Sequence, residues 1–287
     1  MSWIVPIIIL IAIGFVLDRE IYFYEGVHLG PRVQAWLYDR WARKYDDGKR
    51  ASQLRDAEML ALPLLDLLKD IPEPLVLDFA TGTGRLSHAL LSQPDFNGHI
   101  LALDLSEGML KQAALKLSLL STVTEKGNMR PFPSTRVELI RHVALPLPFH
   151  NAVFDVVCSL EVLELFPDMD APLTELSRVL KPGGILLTSR GTEESGRKAR
   201  VKSKTVFTSL LEKYGMTDIQ ITPWWTLFDR VFAKKSGTSN RGSAKGLSNV
   251  LRCGTCGQTQ WEQAAGGLKC MNCGKELSIA KEGIVLN

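Results

Sequence analysis

The sequence predicts an α/β fold, a doubly wound and mainly parallel sheet, with an apolar helix before it and a small cysteine-rich module after it. Three observations carry that prediction. Short strand-like stretches recur at Leu75 to Leu77, Ile100 to Leu105, Val137 to His142, Phe154 to Leu160 and Ile185 to Ser189, with helical patterning between most of them. Trp3 to Leu17 is apolar, apart from Pro6 and Gly14, and carries no charge. Cys253, Cys256, Cys270 and Cys273 form two Cys-x-x-Cys pairs near the C-terminal end.

The totals fit this layout. A chain of 287 residues can hold one large core and a small extra module. Its 45% apolar and 23% charged residues are ordinary for a folded protein. A net charge of +3 is too small to argue for nucleic acid.

Residues 1–20 read as a single-pass transmembrane anchor. A helix over Trp3 to Leu17 would be about 22 Å long against a hydrocarbon core of ~30 Å, so the span needs Met1, Ser2 or local bilayer thinning. A cleaved signal peptide fits less well, because no Lys or Arg precedes the run and no Ala-x-Ala site follows. Arg19, Arg32, Arg40, Arg43 and Lys44 all follow the run, which places the rest of the chain in the cytoplasm. Tyr22, Phe23 and Tyr24 suit a membrane interface.

Residues 21–70 read as helices packing on the main domain. Gln34 to Asp46 places Tyr38, Trp41 and Tyr45 at helical spacing, and Leu54 to Leu68 is a second amphipathic stretch.

The main domain, residues 71–235, is organised by Leu75 to Leu86. Pro72 and Pro74 lead into a strand, Ala80 to Gly84 turns tightly, and Leu86 to Leu91 takes up helical spacing. Glycines let a ligand approach the backbone, and the following helix start offers unpaired N–H groups. Phosphate-loop and dinucleotide patterns both fail here: no Gly-Lys-Ser/Thr follows, and position 80 is Ala. The second strand ends in Asp104, about 20 residues beyond the turn, where an acid can bind a ribose diol. Two strands, a crossover helix and this acid make a nucleoside site. With no phosphate-binding residue evident, a nucleoside carrying an amino-acid tail fits better than a nucleotide.

Asp78-Phe79-Ala80-Thr81-Gly82-Thr83-Gly84, with Leu103-Asp104-Leu105-Ser106 and Leu180-Lys181-Pro182-Gly183-Gly184, resembles class I S-adenosylmethionine-dependent methyltransferases. The form is nearest to those of ubiquinone and menaquinone biosynthesis. The resemblance implies a seven-stranded Rossmann-like methyltransferase sheet and S-adenosylmethionine as cofactor. It implies cofactor contacts from Asp78, Ala80, Thr81, Gly82, Thr83 and Gly84 on the first turn and from Asp104 and Leu105 on the second. Tyr38 to Asp46 resembles a segment that closes over the cofactor in that family. His142 and Val143 fall where the family usually has a Gly-Asp pair reading the adenine, so its acid is absent here. Ser159 and Glu161, at the fourth strand tip, are placed to face the methionine end or the acceptor. No residue presents itself as a catalytic base.

Residues 236–249 are polar and Gly/Ser-rich and read as a flexible linker. Beyond it, residues 250–287 resemble a zinc ribbon. The glycine after each Cys-x-x-Cys pair lets the backbone curl, so four thiolates could hold structural Zn2+ with no open position. The anchor suggests a small-molecule or lipid-like acceptor at the cytoplasmic membrane face. Two alternatives stay open: an RNA- or protein-modifying methyltransferase docking its target through the ribbon, and a non-catalytic, membrane-tethered scaffold.

Overall fold

The computed structural model describes residues 3–123, 129–131, 136–195, 201–239, 246–264 and 266–286. The helices are α1 (Ile4–Asp18), α2 (Pro31–Trp41), α3 (Arg50–Gln53), α4 (Leu62–Leu68), α5 (Arg85–Leu91), α6 (Glu107–Ser118), α7 (Asp170–Val179) and α8 (Lys204–Lys213). The strands are β1 (Leu75–Phe79), β2 (His99–Asp104), β3 (Ser121–Val123), β4 (Met129–Pro131), β5 (Val137–Arg141), β6 (Phe154–Ser159), β7 (Leu180–Gly191), β8 (Met216–Trp225) and β9 (Phe228–Lys235). Four short strands follow: β10 (Trp261–Ala264), β11 (Gly267–Cys270), β12 (Glu276–Ile279) and β13 (Ile284–Leu286).

One sheet holds all of these strands except the β3–β4 hairpin. Its order is β10-β11-β12-β13-β5-β2-β1-β6-β7-β9-β8. The predicted seven strands are the stretch from β5 to β8, parallel except where β9 runs antiparallel to β7 and β8. The sheet is eleven-stranded, not seven-stranded, because the cysteine module adds its own four strands to the β5 edge. β1 lies among the inner strands, and every one of its residues is buried, which is why Leu75 to Leu77 reads as an apolar run. Core side chains pack on both faces. Leu75, Leu77, Phe154 and Leu186 belong to one layer, and Val76, Ile100, Val156 and Leu187 to the other.

Several expectations change. The Lys181 to Gly184 turn is absorbed into β7, which starts at Leu180 and meets β6 through an irregular register between Phe154 and Val156. Trp224 and Trp225 lie within β8, and Trp224 is buried. Residues 236–239 and 246–249 of the expected linker are described, while 240–245 lie outside the described residues. Leu247 is buried in the main core, so that end of the segment is docked rather than free.

The expected transmembrane helix is also corrected. Among the described residues, no helix is long and apolar enough to cross a membrane. α1 has 15 residues, about 22 Å at 1.5 Å per residue. A five-residue π-turn, Arg19–Phe23, continues it with charged Arg19 and Glu20. None of its residues is buried against the protein.

Candidate functional site

The site is built at the carboxyl ends of β1, β2, β5 and β6, where open α/β sheets take ligands. α2 and the helical turn Ala42–Gly48 cover it. Ser106 and Gly108, at the start of α6, hold this cover in place by donating to Asp39 at 2.6 and 2.7 Å.

Asp104 ends β2 and is buried. Its carboxylate accepts from the N–H of Gly82 and from the N–H of Ser106, each at 2.8 Å. Burial pushes its pKa up to about 6, against the opposing pull of those two N–H groups. The acid thus ties the two strand tips together and faces a cavity of about 830 Å³. That cavity's walls are largely apolar, among them Phe79, Met109, Leu145, Leu165 and Phe166. Burial raises the pKa of both Tyr38 and Tyr45, so each phenol stays protonated on the cavity wall.

The glycine turn divides its work. Gly82 has φ +55°, and a Cβ there would meet nothing within 4 Å, so its missing side chain faces open space. Gly84 has φ +75°, and its Cβ would come 3.1 Å from that of Ala113. Gly84 therefore serves the close approach of α5 to α6 rather than the ligand. Asp78 spends its carboxylate on the turn itself, accepting from the Thr81 and Ser87 hydroxyls at 2.7 Å each. Burial raises its pKa. Thr83 is turned toward Asp46, to which its hydroxyl donates at 2.6 Å. Ala80 lines the cavity with φ +55°, a strained conformation for a residue with a Cβ.

Of the other expected residues, Leu105, His142 and Val143 line the cavity. His142 donates from its ring to the Pro146 carbonyl at 3.1 Å, and burial lowers its pKa. Ser159 is corrected: it is fully buried and lines neither the cavity nor the cleft beside it. β6 continues one residue too far under the site for Ser159 to reach it. Leu160 and Glu161 line the cavity instead.

A second cleft of about 470 Å³ adjoins the cavity, and the two share Tyr45, Ala80, Gly82, Leu160 and Glu161. Its charged lining was largely missed by sequence reasoning. Glu161, at φ +59°, accepts from Arg85 at 2.8 Å and pairs with Lys49. Arg85 grips Asp56 through two hydrogen bonds of 2.6 and 2.7 Å and stacks 4.4 Å over the Trp224 ring. Glu161 is expected from its place at the tip of β6; Lys49, Asp56 and Arg85 come from other segments, so no local spacing announces them.

The four expected metal ligands do come together. The sulfurs of Cys253, Cys256, Cys270 and Cys273 all lie within 4.8 Å of one another. Cys253 and Cys273 are 3.6 Å apart, Cys256 and Cys270 3.7 Å. A tetrahedron with Zn–S of ~2.3 Å has edges of about 3.8 Å, so the donor set fits zinc.

Known proteins show similarity over the same region. Residues 77–188 match the methyltransferase domain family. The chain is 28% identical over 153 residues to a demethylmenaquinone methyltransferase of Lactococcus lactis, covering 53% of this chain and 56% of the relative. It is 34% identical over 152 residues to a malonyl-[acyl-carrier protein] O-methyltransferase of Methylovorus, covering 53% and 47%. The chain thus spans about half the length of these curated relatives. A solved S-adenosylmethionine-dependent methyltransferase of Aquifex aeolicus shares the fold, with a TM-score of 0.51 at 20% identity over 68% of this chain and 97% of that one. The strand order and these likenesses agree: residues 77–188 form a methyltransferase domain with a Rossmann-like fold.

Proposed function

We propose that this chain transfers a methyl group from S-adenosylmethionine to an apolar, lipid-like acceptor at a membrane face. The observation that carries the cofactor reading is Asp104, held by two N–H groups against the wall of an apolar cavity. When bound, S-adenosylmethionine supplies an electrophilic methyl on its sulfonium sulfur. Asp104 would accept from the ribose hydroxyls, and His142, Val143 and Leu105 would flank the adenine. Arg85 and Lys49 carry the charge to hold the carboxylate of the amino-acid tail, and Glu161 its ammonium. Tyr38 and Tyr45, from the covering segment, would exclude water above the reacting centre. The protein's contribution is then orientation and a dry site. No residue is assigned as a base.

The acceptor class rests on two features, the cavity's apolar lining and α1. A helix with no polar face suits a surrounding apolar medium rather than a one-sided protein groove. On this reading α1 embeds in one leaflet without crossing the bilayer, with Arg19, Arg32, Arg40, Arg43 and Lys44 toward the lipid headgroups on the cytoplasmic face. The four cysteines would hold one structural zinc, leaving no open coordination position.

Isothermal titration with S-adenosylhomocysteine tests the cofactor reading. No detectable binding would overturn it in favour of a non-catalytic scaffold. Lipid extracts of cells with and without the protein test the acceptor. The expected difference is a species heavier by about 14 Da, the mass of one CH₂, confined to the apolar fraction. A methylated RNA or protein instead would refute the acceptor class.

A further inference from the structure

The cysteine module is not a tethered appendage. β13 pairs in parallel with β5, Ile284 opposite Leu139, Val285 opposite Ile140 and Leu286 opposite Arg141. Its side chains enter the two core layers alternately: Val285 joins one, Ile284 the other. The chain just before Cys253 is stitched to the domain as well. The His150 N–H donates to the Val250 carbonyl at 3.1 Å, and the Arg252 N–H to the Pro148 carbonyl at 2.9 Å, around a bridge between Phe149 and Leu251. Leu247 donates its N–H to the Glu138 carboxylate of β5 at 2.6 Å. Trp261 of β10 donates to the Leu251 carbonyl at 3.1 Å.

These contacts converge on one piece of the cofactor site. Residues 142–150 leave β5 and supply His142, Val143, Ala144 and Leu145 to the cavity wall. On one side, the His142 N–H is tied to the Asp104 carbonyl at 2.9 Å. On the other, β13 and residues 247–252 brace β5 and the far end of this loop. Only one residue separates Leu251 from the first cysteine.

We infer that the metal centre is a structural part of the adenine subsite: zinc holds β10 to β13 in place, and they hold the wall formed by residues 142–145. A module this small has too little core to fold without its metal. Losing the metal would free β13, leave β5 as a bare sheet edge and release the loop. This assigns the cysteine centre a role inside the chain and explains how the site manages without the acid expected at Val143. The wall is fixed from behind by the added strands. The inference rests on the cofactor and zinc readings above.

The test uses the full chain in detergent micelles, as purified, after chelation and after zinc is restored. Metal content is measured by mass spectrometry, S-adenosylhomocysteine affinity by calorimetry and amide exchange by mass spectrometry. The expected result is about one zinc per chain. Removal should weaken binding by about tenfold or more, reversed on reloading, with protection lost in residues 139–150 but kept in β1 and β6. A variant ending at Glu282 lacks β13 but keeps all four cysteines. It should retain its zinc and show the same loss of affinity. Unchanged affinity in either the zinc-free or the shortened chain would overturn the inference, as would loss of protection throughout β1 and β6. Failure of the zinc-loaded chain to bind at all would instead overturn the cofactor reading, and failure to take up zinc the metal reading.

Discussion

Protonation of Asp104 should control cofactor affinity in mildly acidic solution. Its pKa in the free protein is about 6, raised from 3.8 by burial and moderated by the Ser106 and Gly82 N–H groups. Only the ionised form offers both oxygens to ribose hydroxyls while still accepting those two N–H groups. At pH 5 about one molecule in eleven carries the ionised acid, and at pH 7.5 almost all do. Affinity for S-adenosylhomocysteine should therefore fall about tenfold between pH 7.5 and pH 5, roughly 1.4 kcal/mol. Asp78 from β1 is the nearby charge that pushes in the same direction as burial. His142 also lies on the cavity and titrates below its usual range, so His142→Ala serves as a control that should keep the slope. Asp104→Asn should bind weakly at every pH, without the slope. Stability of the free protein moves in the opposite sense. The folded chain keeps this proton between pH 3.8 and 6 while the unfolded chain sheds it. The group's contribution is thus complete below 3.8 and lost as pH rises through 6. Calorimetric titrations from pH 5 to 8 read the affinity. A dissociation constant constant within about twofold across that range would refute the assignment of Asp104 to the ribose.

Other substitutions separate binding from folding. Gly82→Ala places its Cβ where no protein atom lies within 4 Å, so stability should drop by only the ~1–2 kcal/mol of a positive-φ side chain, while S-adenosylhomocysteine binding is weakened by about tenfold or more; unchanged binding would show that the open space at Gly82 is not the ligand's. Lys49→Met should weaken S-adenosylhomocysteine by about tenfold and leave 5′-methylthioadenosine, which lacks the amino-acid tail, unchanged; equal losses would place Lys49 elsewhere. Asp155, buried at the far end of β6, accepts from Lys181 at 2.9 Å and from the Leu75 N–H at 3.0 Å. Asp155→Ala strands that lysine, and thermal unfolding should register a cost of about 3–5 kcal/mol with cofactor affinity preserved in whatever remains folded. Deleting residues 1–24 should abolish co-sedimentation with phospholipid vesicles and leave S-adenosylhomocysteine affinity intact; continued sedimentation would move the membrane contact off α1.

What could be read in advance follows the range over which each feature is encoded. β1, the glycine turn and α5 are a contiguous grammar: prolines, an apolar run, residues that tolerate positive φ, then helical spacing. Asp104 was legible because one crossover helix sets its distance from that turn. The cysteines were legible because metal ligation fixes their spacing. Ser159 failed by a single residue, since alternation along a strand does not say where the strand dips under its neighbours. Lys49, Asp56 and Arg85 failed for a different reason: their meeting with Glu161, which its strand tip did announce, is a product of the tertiary fold alone.

The reading of the C-terminal end failed most instructively. Residues 236–249 are polar enough to pass for a tether, and composition averages away the few apolar side chains that matter. Leu247, Val250 and Leu251 are each almost fully buried, in a core most of whose other members belong to the distant strands and helices of the main domain. Strand addition leaves little local trace, because backbone groups supply the bonds and a three-residue strand such as β13 carries no period. Yet the β5 edge offers a physical hint. An uncovered parallel edge beside a ligand site is a hazard that folded proteins avoid. A domain whose third strand lacks both an outer neighbour and the usual adenine acid has two deficits at one place, and the strands that follow the linker answer both.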